Sequence, residues 1–173
     1  RHFYPYWGDL AVDWDARLRP QLQTALDAAT TREAHLEAPR AIVADVQDGH
    51  GSVSDVVFPP LGMLPFKFRI VGERLVATGS GDASVPVGSV VTALDGVSAK
   101  ERIAKEMRLA SGTSQWRQTR AENALLLCKR DTTPKLSIEP PNGGPREVSL
   151  PCARPVAMVR ETRPDTIAEL EPG

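Results

Sequence analysis

Of the three histidines in this 173-residue chain, His2, His35 and His50, the last stands in a setting suited to proton transfer, the run Asp48-Gly49-His50-Gly51-Ser52. Glycine on either side lets the backbone turn tightly and leaves an imidazole unshielded, as a general base needs if it is to reach a nucleophile. The same placement also fits a solvent-facing or capping histidine, and nothing in the spacing separates the two readings. Ser52 and Ser54 are too near in sequence to be assigned as its nucleophile. No Gly-x-Ser-x-Gly elbow and no Ser-x-x-Lys pair occurs anywhere, so a complete hydrolytic site is not visible.

Other chemistries find less support. The histidines are scattered, and the two cysteines, Cys128 and Cys152, form neither a Cys-x-x-Cys pair nor part of a His-Glu-x-x-His pattern, so neither a metal site nor any cofactor is expected. The cysteines can form one disulfide or remain two buried thiols, and the unpaired state is the favoured reading. Gly79-Ser80-Gly81-Asp82 lacks the following Lys-Ser/Thr of a phosphate loop and opens no helix, which makes it a hairpin loop. Between Lys100 and Arg130 eight basic residues face three acidic ones. Such a run could attract an acidic peptide or a terminal carboxylate through the two-pronged arginine donor; a solvated helix face is the commoner explanation.

The elements that must position these residues divide at Pro59-Pro60. Residues 1–58 hold five basic and nine acidic groups against sixteen and thirteen in the remainder. The first segment reads as helical. Asp13 is a predicted N-cap, with Trp14, Leu18, Leu22, Ala25, Leu26 and Ala29 as one buried stripe. Thr30 and Glu33 fit a capping box for a second helix whose apolar face is Leu36, Ile42, Val43 and Val46, and Pro39 is expected to kink or break it. Ahead of both lies an aromatic cluster, Phe3, Tyr4, Tyr6 and Trp7.

Beyond residue 59 the period changes to two. Phe66, Phe68 and Ile70 alternate with Lys67, Arg69 and Val71, and Gly72-Glu73 turns the chain into a second strand at Leu75–Thr78. A strand from 88 to 94 closes on the tight turn Asp95-Gly96. Ser98 then caps a helix to about Leu109 that buries Ile103, Met107 and Ala110. Thr113 or Ser114 starts another helix, which carries Trp116, Ala124, Leu127 and Cys128. Strands at 135–139 and 146–151 finish the unit. The fold class is therefore α+β: a small N-terminal helical bundle followed by a mostly antiparallel β domain with two helices.

Composition bounds the partners. The chain is 41% hydrophobic and 25% charged, with a formal net charge of −1, enough to bury a core but without a basic field to draw nucleic acid. Its apolar runs are far shorter than the roughly 20 residues of a membrane span. There is no visible signal peptide, no initiator Met, and an end at Glu171-Pro172-Gly173; the chain reads as a piece of something longer.

Taken in order, His2-Phe3-Tyr4-Pro5-Tyr6-Trp7, Val12-Asp13-Trp14-Asp15 and Asp48-Gly49-His50-Gly51 resemble the helical N-terminal region of the tail-specific, or C-terminal-processing, serine peptidases, in particular their tricorn-like bacterial members. Leu64-Pro65-Phe66 and the stretch Val85 to Gly96 resemble the PDZ domain of that family, with Ser89 where Asp is usual. The resemblance implies 1–58 as an N-terminal helical domain, 59–155 as a PDZ-like domain and 156–173 as a linker toward a catalytic domain that this chain lacks. It implies the substrate-binding portion of a serine endopeptidase acting on peptides or proteins, inactive by itself, with His50 as catalytic base for a serine supplied downstream in the same polypeptide. By the same resemblance Leu64, Pro65, Phe66 and Lys67 bind peptide by strand addition and a loop of backbone donors, and location leans toward export. Gly49 replaces a serine that tricorn-type members carry beside the histidine, and Pro65 donates no amide. A peptide-binding adaptor without protease activity is the alternative; a domain that drives oligomerisation through its aromatic start is the third reading.

Overall fold

The computed structural model describes residues 13–27, 31–53 and 61–153. The aromatic cluster, Ala29, Thr30, Ser54, the Pro59-Pro60 boundary and the stretch 156–173 lie outside them.

Two helices come first. Helix α1 spans Trp14–Asp27, and the Asp13 carboxylate accepts the Ala16 N–H at 3.1 Å as a first-turn cap. Among the described residues of the expected stripe, Trp14 is buried while Leu18, Leu22 and Leu26 are exposed. α1 is instead tied to its neighbour by polar groups, Arg17 and Gln21 both donating to the Asp45 carboxylate. Helix α2 spans Arg32–Asp45. Its cap is Thr31, whose hydroxyl accepts from Ala34 N–H, one residue later than the capping box placed it. Pro39 does not interrupt α2, which runs through it unbroken. A proline removes one backbone donor and crowds the preceding turn; here Glu37 pairs with Lys105 and Arg40 with Glu106, so the helix is held on both sides of the proline.

The second part is an antiparallel sheet packed on two helices. Strand β1 is Leu61–Met63, β2 Phe66–Val71, β3 Arg74–Ser80, β4 Val90–Leu94 and β5 Val97–Ser98; α3 follows at Ala99–Arg108 and α4 at Ser114–Leu126, then β6 Leu127–Lys129, β7 Lys135–Glu139 and β8 Arg146–Ser149. The large sheet runs β2-β3-β4-β7-β8 with β5 beside β4, and β1 pairs β6 in a small sheet of its own. All these pairings are antiparallel. The alternation seen in β2 is real: Phe66, Phe68 and Ile70 are buried while Arg69 and Val71 face solvent. Its two-residue turn has Gly72 at φ 62°, and the β4–β5 turn has Asp95 at 48° and Gly96 at 77°, the left-handed backbone that matches strand twist in a tight hairpin. Leu75, Val91, Leu136, Ile138 and Leu150 fill the middle of the core against Ile103 of α3 and Ala121 and Leu125 of α4. The architecture is α+β, as the change of period indicated.

Two expectations fail at the end of α4. The helix stops at Leu126, because Leu127 is extended (φ −75°, ψ 139°) and begins β6; Cys128 thus sits on a strand. The cysteines are also not free thiols: Cys128 and Cys152 form a disulfide with Cα atoms 5.9 Å apart. After β8 the chain doubles back along β6, with Asp131 N–H donating to Cys152 carbonyl and Cys152 N–H to Thr132 carbonyl. That return brings together two sulfurs 24 residues apart.

Candidate functional site

The loop after α2 is built by backbone geometry. Gln47 takes a left-handed φ of 58° and its N–H bonds to the Ala44 carbonyl, ending the helix. Gly51 N–H donates to the Asp48 carbonyl at 2.9 Å, closing a turn with Gly49 and His50 at its corner. A side chain at Gly51 would meet Val43 Cγ1 of α2 at 2.7 Å, so the turn packs closely against that helix and a larger residue would force one of them to shift.

His50 stands on this turn with its ring almost wholly in solvent, 98% exposed. The Asp48 carboxylate Oδ1 accepts the His50 backbone N–H at 3.0 Å and lies 2.9 Å from the ring Nδ1. A carboxylate at Nδ1 selects the tautomer with its proton on that nitrogen, leaving Nε2 as the outward acceptor. The two hydrogen bonds from His50, backbone first and ring second, hold the Asp48 carboxyl below its ordinary value of 3.8. Ser52 is also exposed, and no hydroxyl is seen to engage Nε2 among the described residues.

What fixes the turn comes from α4. The Gly49 carbonyl accepts from Trp116 Nε1 at 2.9 Å and from Arg120 Nη2 at 3.1 Å, and the Arg120 guanidinium stacks over the Trp116 ring at 5.4 Å. At the start of α4, Gly112 has φ 107°. A methyl group there would stand 2.9 Å from Gly49 Cα and 2.8 Å from Trp116 Cδ1. Two glycine backbones thus touch where the helical pair meets the sheet unit. Neither the hold of Asp48 on the ring nor the bonds of Trp116 and Arg120 to the Gly49 carbonyl is visible in the sequence, where Arg120 reads as part of the basic run and Trp116 as part of a helix face. Trp116 and Arg120 do share one helix face four residues apart, but their target lies 67 and 71 positions away.

A separate cleft of about 280 Å³ lies between β2 and α4, lined by Lys67, Phe68, Arg69, Thr78, Thr119, Glu122, Asn123 and Leu126. Of the four expected peptide-binding residues, Lys67 lines it. Leu64 and Phe66 are buried in the core, and the Pro65 carbonyl accepts Gly81 N–H at 2.7 Å. Glu122, 5% exposed, spans the cleft floor: Oε1 accepts Ile70 N–H at 2.8 Å, and Oε2 pairs with Arg69. Gln118, one turn earlier, donates to the Ile70 carbonyl at 2.8 Å. Much of the basic run is spent internally: Lys100 pairs with Glu73, Lys105 with Glu37, and Arg117 and Arg130 donate to the Met107 and Leu61 carbonyls. No group of three or more His, Cys, Asp or Glu among the described residues could hold a metal ion, and no described helix is long and apolar enough to cross a membrane.

This arrangement of helical pair and sheet unit has solved counterparts. A mutant of CPAF matches with a TM-score of 0.62 at 16% identity, over 84% of this chain and 30% of that one. Mature CPAF complexed with lactacystin matches at 0.59 and 18%, over 82% and 29%. The likeness is one of fold. A photosystem II D1 C-terminal processing protease overlaps more loosely, with a TM-score of 0.40 at 15% identity over 86% of this chain and 39% of that one. The chain spans less than a third of the length of the CPAF structures. No family model and no curated protein matches it.

Proposed function

We propose that this chain is the N-terminal and PDZ-like substrate-binding portion of a serine endopeptidase, with His50 as the base that serves a serine carried by a downstream domain. The observation that carries the reading is the state of His50: a ring open to solvent, with Nδ1 held by Asp48 and Nε2 aimed outward. In such a site Nε2 takes the proton of an approaching hydroxyl as it attacks the scissile carbonyl, and the Asp48 carboxylate stabilises the imidazolium that forms. The serine and the donors for the developing oxyanion would come from the later domain. A fold shared with less than a third of a longer chain fits a front portion of this kind, and the disulfide fits the exported location that the family resemblance implies, since such bonds persist in oxidising compartments. The tricorn-like assignment, the PDZ role and the boundaries 1–58, 59–155 and 156–173 belong to the same proposal.

The test is His50→Ala in the protein that carries the downstream domain. The expected result is a fall in peptidase kcat of at least about a hundredfold, the scale of a lost general base. A kcat within about threefold of wild type removes His50 from the chemistry. The β2–α4 cleft serves an adaptor equally well, and a protein carrying its downstream domain that binds peptides but shows no peptidase turnover would favour that second reading.

A further inference from the structure

The segment that enters the cleft between β2 and α4 is, we infer, an internal stretch of an extended polypeptide, read at one position of β2 and without its terminal carboxylate; the inference rests on peptide capture by this unit. A chain end is captured when consecutive backbone N–H groups in the loop before an edge strand point at it unpaired. Here every such donor is used. Met63 N–H goes to the Ala153 carbonyl, Leu64 N–H to the Leu126 carbonyl and Phe66 N–H to the Leu64 carbonyl, each at 2.9 Å. Pro65 has none to give. Four consecutive residues therefore offer a terminal carboxylate no amide.

The edge of β2 is half occupied as well. In an antiparallel pair, alternate residues turn their N–H and C=O outward from the partner strand. Ile70 is one of these, and α4 covers both of its groups: Glu122 accepts the N–H and Gln118 donates to the carbonyl, as a neighbouring strand would. Two residues earlier, Phe68 lies in the same orientation, and it lines the open cleft between Lys67 and Arg69. An entering strand can pair with Phe68 before α4 stops it. Lys67, beside that position, favours an acidic side chain on the incoming segment, which need not be at its end, while Arg69 is held by Glu122.

The probe is an array of overlapping 12-residue peptides of β-casein, each made with both ends blocked and with a free C-terminal carboxylate, applied to the whole chain with its disulfide intact. The tightest binders are then compared by fluorescence anisotropy and mapped by amide NMR shifts. The expected result is a Kd for blocked and free-acid forms that agrees within twofold, with shifts centred on Phe68. A tenfold preference for the free acid overturns the inference while leaving peptide capture standing. Failure of every peptide to bind a folded chain overturns capture and the inference together. Gln118→Ala frees the Ile70 carbonyl and should tighten blocked peptides about fivefold, roughly one added hydrogen bond. Unchanged affinity in that variant, with the fold intact by NMR, would mean that Ile70 is not the stop.

Discussion

A single carboxylate determines how His50 is presented. Asp48 uses one oxygen for both the backbone and the ring of His50, so its charge holds the turn as well as the imidazole. Because its carboxyl is held below 3.8 in the folded loop, the charged form contributes to loop order above that value. The contribution fades as the pH falls through the lower, folded titration point. A carbon-detected NMR titration should therefore place the Asp48 midpoint below 3.8. His50→Ala should move it upward by removing the ring contact, and a midpoint unmoved by that substitution would show that the ring does not engage Asp48. The sequence already displayed this histidine between two glycines. It did not disclose Asp48, because an aspartate two residues before a loop residue is as often an ordinary turn former as a partner for the ring.

At the scale of elements, α4 has two working faces. One carries Trp116 and Arg120 to the Gly49 carbonyl, and the other carries Gln118 and Glu122 to the edge of β2. Gly112→Ala is expected to cost about 1–3 kcal/mol in urea unfolding, since it places a side chain at positive φ and against Gly49 at once; a change below a few tenths would mean that the junction yields. Glu122→Ala leaves Ile70 N–H without its acceptor and should cost about 1–3 kcal/mol. Glu122→Gln retains an acceptor and loses mainly a pairing with the largely exposed Arg69, so its cost should stay under about 1 kcal/mol; equal losses from the two substitutions would contradict the bond to Ile70. Much of the secondary structure was legible: the two-residue period of β2, the Asp95-Gly96 turn and the Thr113 cap each depend on neighbours in sequence. The stripe on α1 was legible as a pattern, but its burial was not. Leu18, Leu22 and Leu26 stay exposed because α1 meets α2 through Arg17 and Gln21. Pro39 misled for a related reason, as the ion pairs that support α2 come from α3, more than sixty residues away.

Long-range closure is the part that local patterns did not show, and the disulfide is its clearest case. Cys128 and Cys152 become neighbours only after the chain has crossed β7 and β8 and returned along β6, so their spacing carried no sign of the pairing. The bond lies where several weak contacts converge: Met63 bridges to Ala153, and a side chain at Gly62 would strike the Ala153 carbonyl and Cys152 Sγ, each at 2.6 Å. It thus ties the small β1–β6 sheet, which leads into β2 and the cleft, to the end of the large one. In the chain-entropy account, closing a loop of 24 residues restricts the unfolded ensemble by about 3 kcal/mol. Cys128→Ala with Cys152→Ala, or full reduction, should lower unfolding stability by that order. Hydrogen exchange should accelerate first at Gly62, Met63 and Cys128 and leave the β2–β3 hairpin protected, because that hairpin draws its bonds from β3 and from the core. If the reduced protein, with two titratable thiols, unfolds at the same urea concentration and with the same exchange pattern as the oxidised one, the bond contributes nothing to this closure, and the order of the small sheet must come from Met63 and Gly62 alone.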